Sequence, residues 1–156
     1  MIKLLKKFFR KEKRIAFLDG DQPIPAILSA FDRYVKGTKT QTYLIRLQPA
    51  KHDEPKSLRN IDPDINKVYL QGYRTGKEAT DKFIGQWIQK ALTDGYTHIT
   101  VVSSDYDFID TFKMCAQLND VEEITFRLIV SMHAEQIDKY KSKVTNVEII
   151  DATKTK

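Results

Sequence analysis

THITVVSSDYDFID, residues 97–110, decides how the chain is read. Its first half is continuously apolar in the middle, the pattern of a central strand covered on both faces of a parallel sheet. Two serines follow, then three aspartates within six positions, Asp105, Asp107 and Asp110. Carboxylates that close repel one another unless a cation or water lies among them. Apolar residues then recur at helical spacing, so a helix over about 106–118 is expected, with Cys115 beside Phe108, Ile109 and Phe112. A buried, inert thiol is the ordinary state of such a cysteine. The unit is therefore strand, acidic turn, helix.

The same unit recurs on either side. RIAFLD (14–19) is a short apolar strand ending in an acid. DQPIPAILSAFDRYVKG (21–37) reads as a helix with its prolines in the first turn and Gly37 as its stop. TQTYLIRLQ (40–48) is a second strand, 49–65 a proline-rich loop or short helix, and NKVYLQGY (66–73) a third strand. Apolar positions 79, 83, 84, 87, 88, 91 and 92 then mark a helix closed by Gly95, with Trp87 on its core face. ITFRLIVS (124–131), a polar segment and NVEIID (146–151) complete the chain. Regular alternation of strand and helix predicts a doubly wound, three-layer α/β/α fold with a mostly parallel central sheet.

At 156 residues one domain is expected, over residues 14–156. A single cysteine cannot form an internal disulfide, which fits a cytoplasmic location. The net charge of +5 is concentrated: residues 1–14 hold seven of the 26 Lys/Arg and one of the 21 Asp/Glu, which leaves 19 basic against 20 acidic residues elsewhere. Residues 1–13 are thus a basic, amphipathic arm, too short and charged to span a bilayer and without a secretory cleavage pattern. Three readings of it stay open: a helix on an anionic membrane surface, a grip on nucleic-acid phosphate, or a frayed start packed on the body.

Five acids share a place in the pattern. Asp19 and Asp21 follow the first strand, Asp105 and Asp107 the fourth, and Asp81 lies about one turn into the helix after the third. In an open parallel sheet, residues just past the strands' carboxyl ends converge on one rim. Any one of these aspartates reads as a helix cap; the set reads as a site. Oxygen ligands of this kind suit Mg²⁺ or Mn²⁺, and His52, His98 and His133 are too dispersed in sequence for zinc. A cation so held activates water and neutralises charge in phosphoryl chemistry.

FLDGDQ, GKEATDKFI and VVSSDYDF resemble the three signature segments of the NYN domains, within the PIN-like nuclease superfamily. The resemblance spans roughly residues 14–130 and implies a PIN-like doubly wound fold, a divalent metal and hydrolysis of phosphodiester bonds, usually in RNA. It makes Asp19, Asp81, Asp105 and Asp107 the candidate metal and water ligands, and Asp21 falls where the pattern is variable and often acidic. Ser103 takes the place of a serine that steadies a ligand or phosphate. Gln22, Ser104 and Tyr106 replace the Asn, Gly and Ser of that pattern.

Ser103, Ser104 and Gln22 join Arg74 and Lys77 as candidate substrate contacts, the last two flanked by glycines in GYRTGKEATD. That segment is no P-loop, since Glu78 stands where Ser or Thr would bind the metal. Tyr73 and Tyr106 are candidates for base stacking, and Phe108 for the core. Partners compatible with the sequence are nucleic acid, above all RNA, a membrane surface for residues 1–13, and a second copy of the chain. Two other functions compete. IAFLDGDQP superficially matches the Asp-x-Asp of haloacid dehalogenase phosphatases, but Pro23 stands where that motif has Thr or Val. A PIN-like body can also serve as a non-catalytic RNA-binding or protein-interaction module.

Overall fold

Alternation along the first strand builds two cores at once. The computed structural model describes residues 11–48, 56–71, 79–119, 124–142, 144 and 146–154. Strand β1 (Arg14–Asp19) sends Ile15 and Phe17 into one apolar layer and Ala16 and Leu18 into the other. Five further strands, β2 (Gln41–Gln48), β3 (Ile65–Gln71), β4 (His98–Val102), β5 (Thr125–Val130) and β6 (Val147–Asp151), complete a six-stranded sheet in the order β3-β2-β1-β4-β5-β6. Every pairing is parallel. Neighbouring parallel strands need crossover connections, and the chain supplies helices for them.

Helix α1 (Ile24–Tyr34) starts after Pro23 with Pro25 in its first turn, where a missing N–H is harmless. It buries Ile24, Ile27, Ala30 and Phe31 on the face formed by Ala16, Leu18, Leu44, Val102 and Ile129. The short α2 (Lys56–Arg59) adds the fully buried Leu58 to that layer. On the opposite face lie α3 (Ala79–Thr93) and α4 (Phe108–Asn119), which pack Ile84, Ile88, Phe108, Phe112 and Cys115 against Phe17, Val101 and Leu128. Trp87 is half-buried against Phe17, Tyr43 and Phe83, with ring centroids 6.1, 4.9 and 5.2 Å away. The three-layer α/β/α fold is as the pattern predicts, and the sheet is parallel throughout.

The segment after β5, where the sequence suggests no element, winds into a 3-10 turn (Ala134–Gln136) and helix α5 (Ile137–Lys141). Ile137 is its one buried side chain, which is why no periodicity betrays it. Residues 1–10 of the expected arm, and Tyr73, Arg74 and Lys77, lie outside the described residues. Among the described residues no helix is long and apolar enough to cross a membrane.

The order of strands puts a topological switch between β1 and β4: the chain builds outward to β3 on one side and to β6 on the other. Ligand crevices form at the carboxyl ends of strands at such a point. Gly20 is the residue with which the chain leaves β1 there, its N–H donating to Ile45 O at 2.8 Å. A Cβ at position 20 would lie 2.8 Å from Ile45 O, 2.8 Å from Leu44 Cδ2 and 2.9 Å from Arg46 Cβ. Gly85, within α3, has room: its Cβ would meet only Thr111 Cγ2, at 3.5 Å. Gly20→Ala is therefore expected to destabilise the fold by about 1–3 kcal/mol, the usual scale of overpacking. Gly85→Ala is expected to be neutral or to stabilise by up to about 1 kcal/mol through helix propensity. Urea unfolding of the two variants checks the contrast, and equal effects would contradict it.

Candidate functional site

Three strand ends meet at the switch, and each ends in a small polar side chain: Asp19 on β1, Ser103 after β4 and Ser131 after β5. All three are buried. Ser103 Oγ donates to Asp19 Oδ2 at 2.8 Å and accepts from the Asp105 N–H at 3.0 Å and from Gln22 Nε2 at 3.1 Å. Gln22 Oε1 in turn accepts from the Ser104 N–H at 2.8 Å and from Ser131 Oγ at 3.2 Å. Ser103 has one proton, and it goes to Asp19; the chain Ser131, Gln22, Ser103 therefore points its donors toward that carboxylate and fixes its Oδ2 as an acceptor.

Asp81 approaches from the first turn of α3, and its carboxyl is within hydrogen-bonding contact of Asp105. Asp107 stands exposed at the mouth, its N–H donating to Asp105 Oδ1 at 2.9 Å. Asp105 thus caps the turn into α4, as an isolated Asp would, and also faces a second carboxyl. Burial raises the Asp19 carboxyl to about 6, partly offset by the Ser103 hydrogen bond and reinforced by Asp21 and Asp105. Burial likewise raises Asp81, to about 8, with the Asp105 hydrogen bond and the charges of Asp19, Asp105 and Asp107 all acting in the same direction. Among the described residues, the charges that act on Asp81 are negative.

Asp19, Asp81, Asp105 and Asp107 thus gather at one place, and Asp21 adds its charge to that acting on Asp19. Asp21 lies beside them, but its Oδ1 accepts from the Leu47 N–H at 2.8 Å and its Oδ2 from the Thr80 hydroxyl. It ties the turn after β1 to the end of β2 and the start of α3. Asp110 sits exposed in the first turn of α4, away from this contact set. Gln22 and Ser104, expected as substrate contacts, are half-buried: Gln22 Oε1 accepts from the Ser104 backbone N–H, and the Gln22 amide also meets Ser103 and Ser131. Tyr106 is not a free stacking platform: it is buried, donates to His133 O at 2.7 Å and stacks on Tyr140 with centroids 4.5 Å apart. Phe108 and Cys115 are core residues, and burial raises the Cys115 thiol.

Two contributors escape a reading by motif. Thr80, 1% exposed, orients Asp21, and Ser131 closes the network from β5. The sequence does carry a signal for Ser131, because it ends an apolar strand as Asp19 and Ser103 do.

Among the described residues, no three Asp, Glu, His or Cys side chains form a ready-made cation cage. The donor set nonetheless suits a hard cation: Mg²⁺ keeps several waters and takes only one or two carboxylates. Asp19, Asp81 and Asp105, with Asp107 at the edge, offer that chemistry.

No protein-family profile matches the chain, and no curated protein matches it. Among solved structures it is similar to an isochorismatase-like hydrolase from Alkaliphilus metalliredigens, at 12% identity and a TM-score of 0.42, over 90% of this chain and 95% of that one. Both values are too low for that protein's chemistry to bear on this chain.

The raised carboxyls fix the direction of a pH effect. In the folded chain Asp19 and Asp81 keep protons above the ordinary value of 3.8. The stability they contribute is complete below about 4 and is lost as pH rises through about 6 and then about 8. In EDTA, Asp81→Asn is expected to unfold at a higher temperature than the unaltered chain at about pH 8.5, with the difference shrinking toward pH 5. Mn²⁺ or Mg²⁺ is expected to raise the unaltered chain's Tm at pH 8.5 by more than it raises that of the variant. Thermal scans across pH check both, and a pH-independent difference would refute the assignment.

Proposed function

We propose that the chain is a metal-dependent nuclease that hydrolyses phosphodiester bonds, RNA first among its substrates. The observation that carries this reading is the gathering of Asp19, Asp81 and Asp105 from three segments at the switch point, where the charges of Asp19, Asp105 and Asp107 all raise Asp81. A fold does not keep carboxylates so placed for stability, since they oppose one another. The resemblance of FLDGDQ, GKEATDKFI and VVSSDYDF to NYN segments adds the reaction class and the polymer.

In this reading Asp19, Asp81 and Asp105 hold Mg²⁺ or Mn²⁺. The ion supplies charge neutralisation at the phosphate and a water of lowered pKa. Ser103 keeps Asp19 oriented, so the ligand geometry is set before substrate arrives. Asp107, exposed beside Asp105, orients the attacking water or accepts its proton. The phosphatase alternative fits less well. It needs the second carboxylate of Asp-x-Asp turned toward the reacting phosphate, whereas Asp21 is engaged by Leu47 and Thr80.

Cleavage of labelled single-stranded and hairpin RNA by the full chain tests the proposal. Activity is expected with Mn²⁺ or Mg²⁺, to vanish in EDTA, and to fall at least about 100-fold in Asp105→Asn, the scale of losing a group that acts on the transition state. The variant's thermal stability is expected to be equal or higher, because a repelling charge is removed. RNA binding without metal-dependent cleavage would replace this reading with that of a binding module.

A further inference from the structure

Asp21 and Thr80 meet at the acidic rim, and the reaction proposed above assigns neither a role. Asp21 stands two residues beyond Asp19, and Thr80 immediately precedes Asp81. Thr80 is buried, and its hydroxyl donates to Asp21 Oδ2. The other carboxylate oxygen, Oδ1, accepts from the Leu47 N–H at 2.8 Å. Leu47 lies just past the rows that pair β2 with β1, where Asp19 stands opposite Ile45 and the Gly20 N–H donates to Ile45 O. The Asp21 side chain thus supplies the acceptor that β1 would have offered had it run on, and the sheet holds it there.

Thr80, Ile84 and Ile88 recur every four residues and are all buried, so they form the stripe that α3 turns toward the sheet. The two isoleucines join the core around Phe17 and Val101. Apolar burial is non-directional: it fixes which face of α3 is inward more firmly than it fixes the helix's position along that face. A hydrogen bond is directional, and the one from Thr80 ends on an acceptor tied to β2. It therefore locks the first turn of α3, where Asp81 reaches Asp105 and feels the charge of Asp19. The Asp21 N–H also favours the charged form of Asp19. Residue 21 thus links the Asp19 side of the site to the Asp81 side.

We propose that Asp21 and Thr80 are positioning residues that hold Asp81 against Asp105 and Asp19, and that Asp21 braces the site instead of ligating a cation. Asp21 is exposed, but both its oxygens are engaged, one by the sheet and one by α3. The consequence for a cation rests on the nuclease reading; the brace itself is a matter of hydrogen bonds within the chain. Cation affinity depends on such partners, because a ligand already held in place needs no ordering when the ion arrives.

Thr80→Val tests it, since the change removes the hydroxyl, keeps the branched shape and alters no charge; Thr80→Ala repeats the test should valine not be accepted. Thr80→Ser keeps the hydroxyl, and Ile27→Val loses packing in the α1 layer, on the other face of the sheet. Two measurements on the full chain are made: Mn²⁺ affinity by EPR, well below the unfolding temperature, and the side-chain carboxyl ¹³C resonances of the aspartates in EDTA. Thr80→Val is expected to weaken Mn²⁺ binding about tenfold, the scale of losing a partner that orients a ligand. Thr80→Ser is expected to restore it and Ile27→Val to leave it unchanged. In EDTA, Thr80→Val is expected to move the Asp81 resonance and to leave that of Asp110 in place. Asp21→Asn, whose amide can still bond to the Leu47 N–H and the Thr80 hydroxyl, is expected to weaken Mn²⁺ less than Asp81→Asn does. Mn²⁺ binding by Thr80→Val equal to that of the unaltered chain overturns the proposal and leaves the nuclease reading intact. An Asp21→Asn loss as large as that of Asp81→Asn also overturns it, because Asp21 is then itself a ligand. A moved Asp81 resonance in a chain that binds no Mn²⁺ upholds the brace and sinks the nuclease reading.

Discussion

A carboxylate buried between two strands at the centre of the sheet sets the terms for everything around it. Asp19 is 4% exposed, and the group that meets its Oδ2 is a hydroxyl, not a cation. A hydroxyl can satisfy one oxygen but cannot cancel a charge. It must also be aimed, so Ser103 depends on Gln22 and Gln22 on Ser131. The chain has to turn away at once without a side chain, and Gly20 does so against the backbone of β2. One buried charge therefore dictates residues on the turn after β1 and at the ends of β4 and β5.

Magnitudes show why the rim cannot settle this by itself. Helices α1, α3 and α4 all begin here, as helices following parallel strands must, and each amino terminus favours a nearby carboxylate by about 0.3–1 kcal/mol. Two carboxylates 4 Å apart repel by about 4 kcal/mol at an effective dielectric of 20. Repulsion and burial together exceed the dipoles, and the result is the raised Asp19 and Asp81 carboxyls. A proton answers the excess in acid. Above about 8 both carboxyls are charged, and no proton offsets their repulsion.

Sequence made the skeleton of this arrangement readable because its signals are local. Apolar alternation with β-branched residues marks RIAFLD and HITVV as central strands, prolines and glycines bracket α1, and a strand ending in Asp is visible as such. What stayed hidden depends on register between segments far apart in the chain. Asp21 reads like Asp19 until Leu47 and Thr80 are seen to engage it. Nothing local to Gln22 reveals the two serines from other strands that its amide meets. Tyr106 reads as an open aromatic until Tyr140 covers it from the short α5, whose single buried Ile137 leaves no period to find. Arg14, Thr100 and Arg127 likewise come together only when β1, β4 and β5 lie side by side.

The cations at the amino end do not relieve the acids at the carboxyl end. Arg14 and Asp19 are five residues apart on β1, about 16 Å along an extended strand. At that separation, and at the same effective dielectric, their attraction is about 1 kcal/mol, a quarter of the repulsion between carboxylates in contact. Salt reduces it further, because the span exceeds the Debye length of about 8 Å at physiological ionic strength. The two ends therefore carry separate electrostatic demands, each to be met by its own counter-charge. At the amino end Arg14 and Arg127 already meet Glu12 and Glu148, whereas among the described residues no cation meets the carboxylates that crowd the carboxyl end.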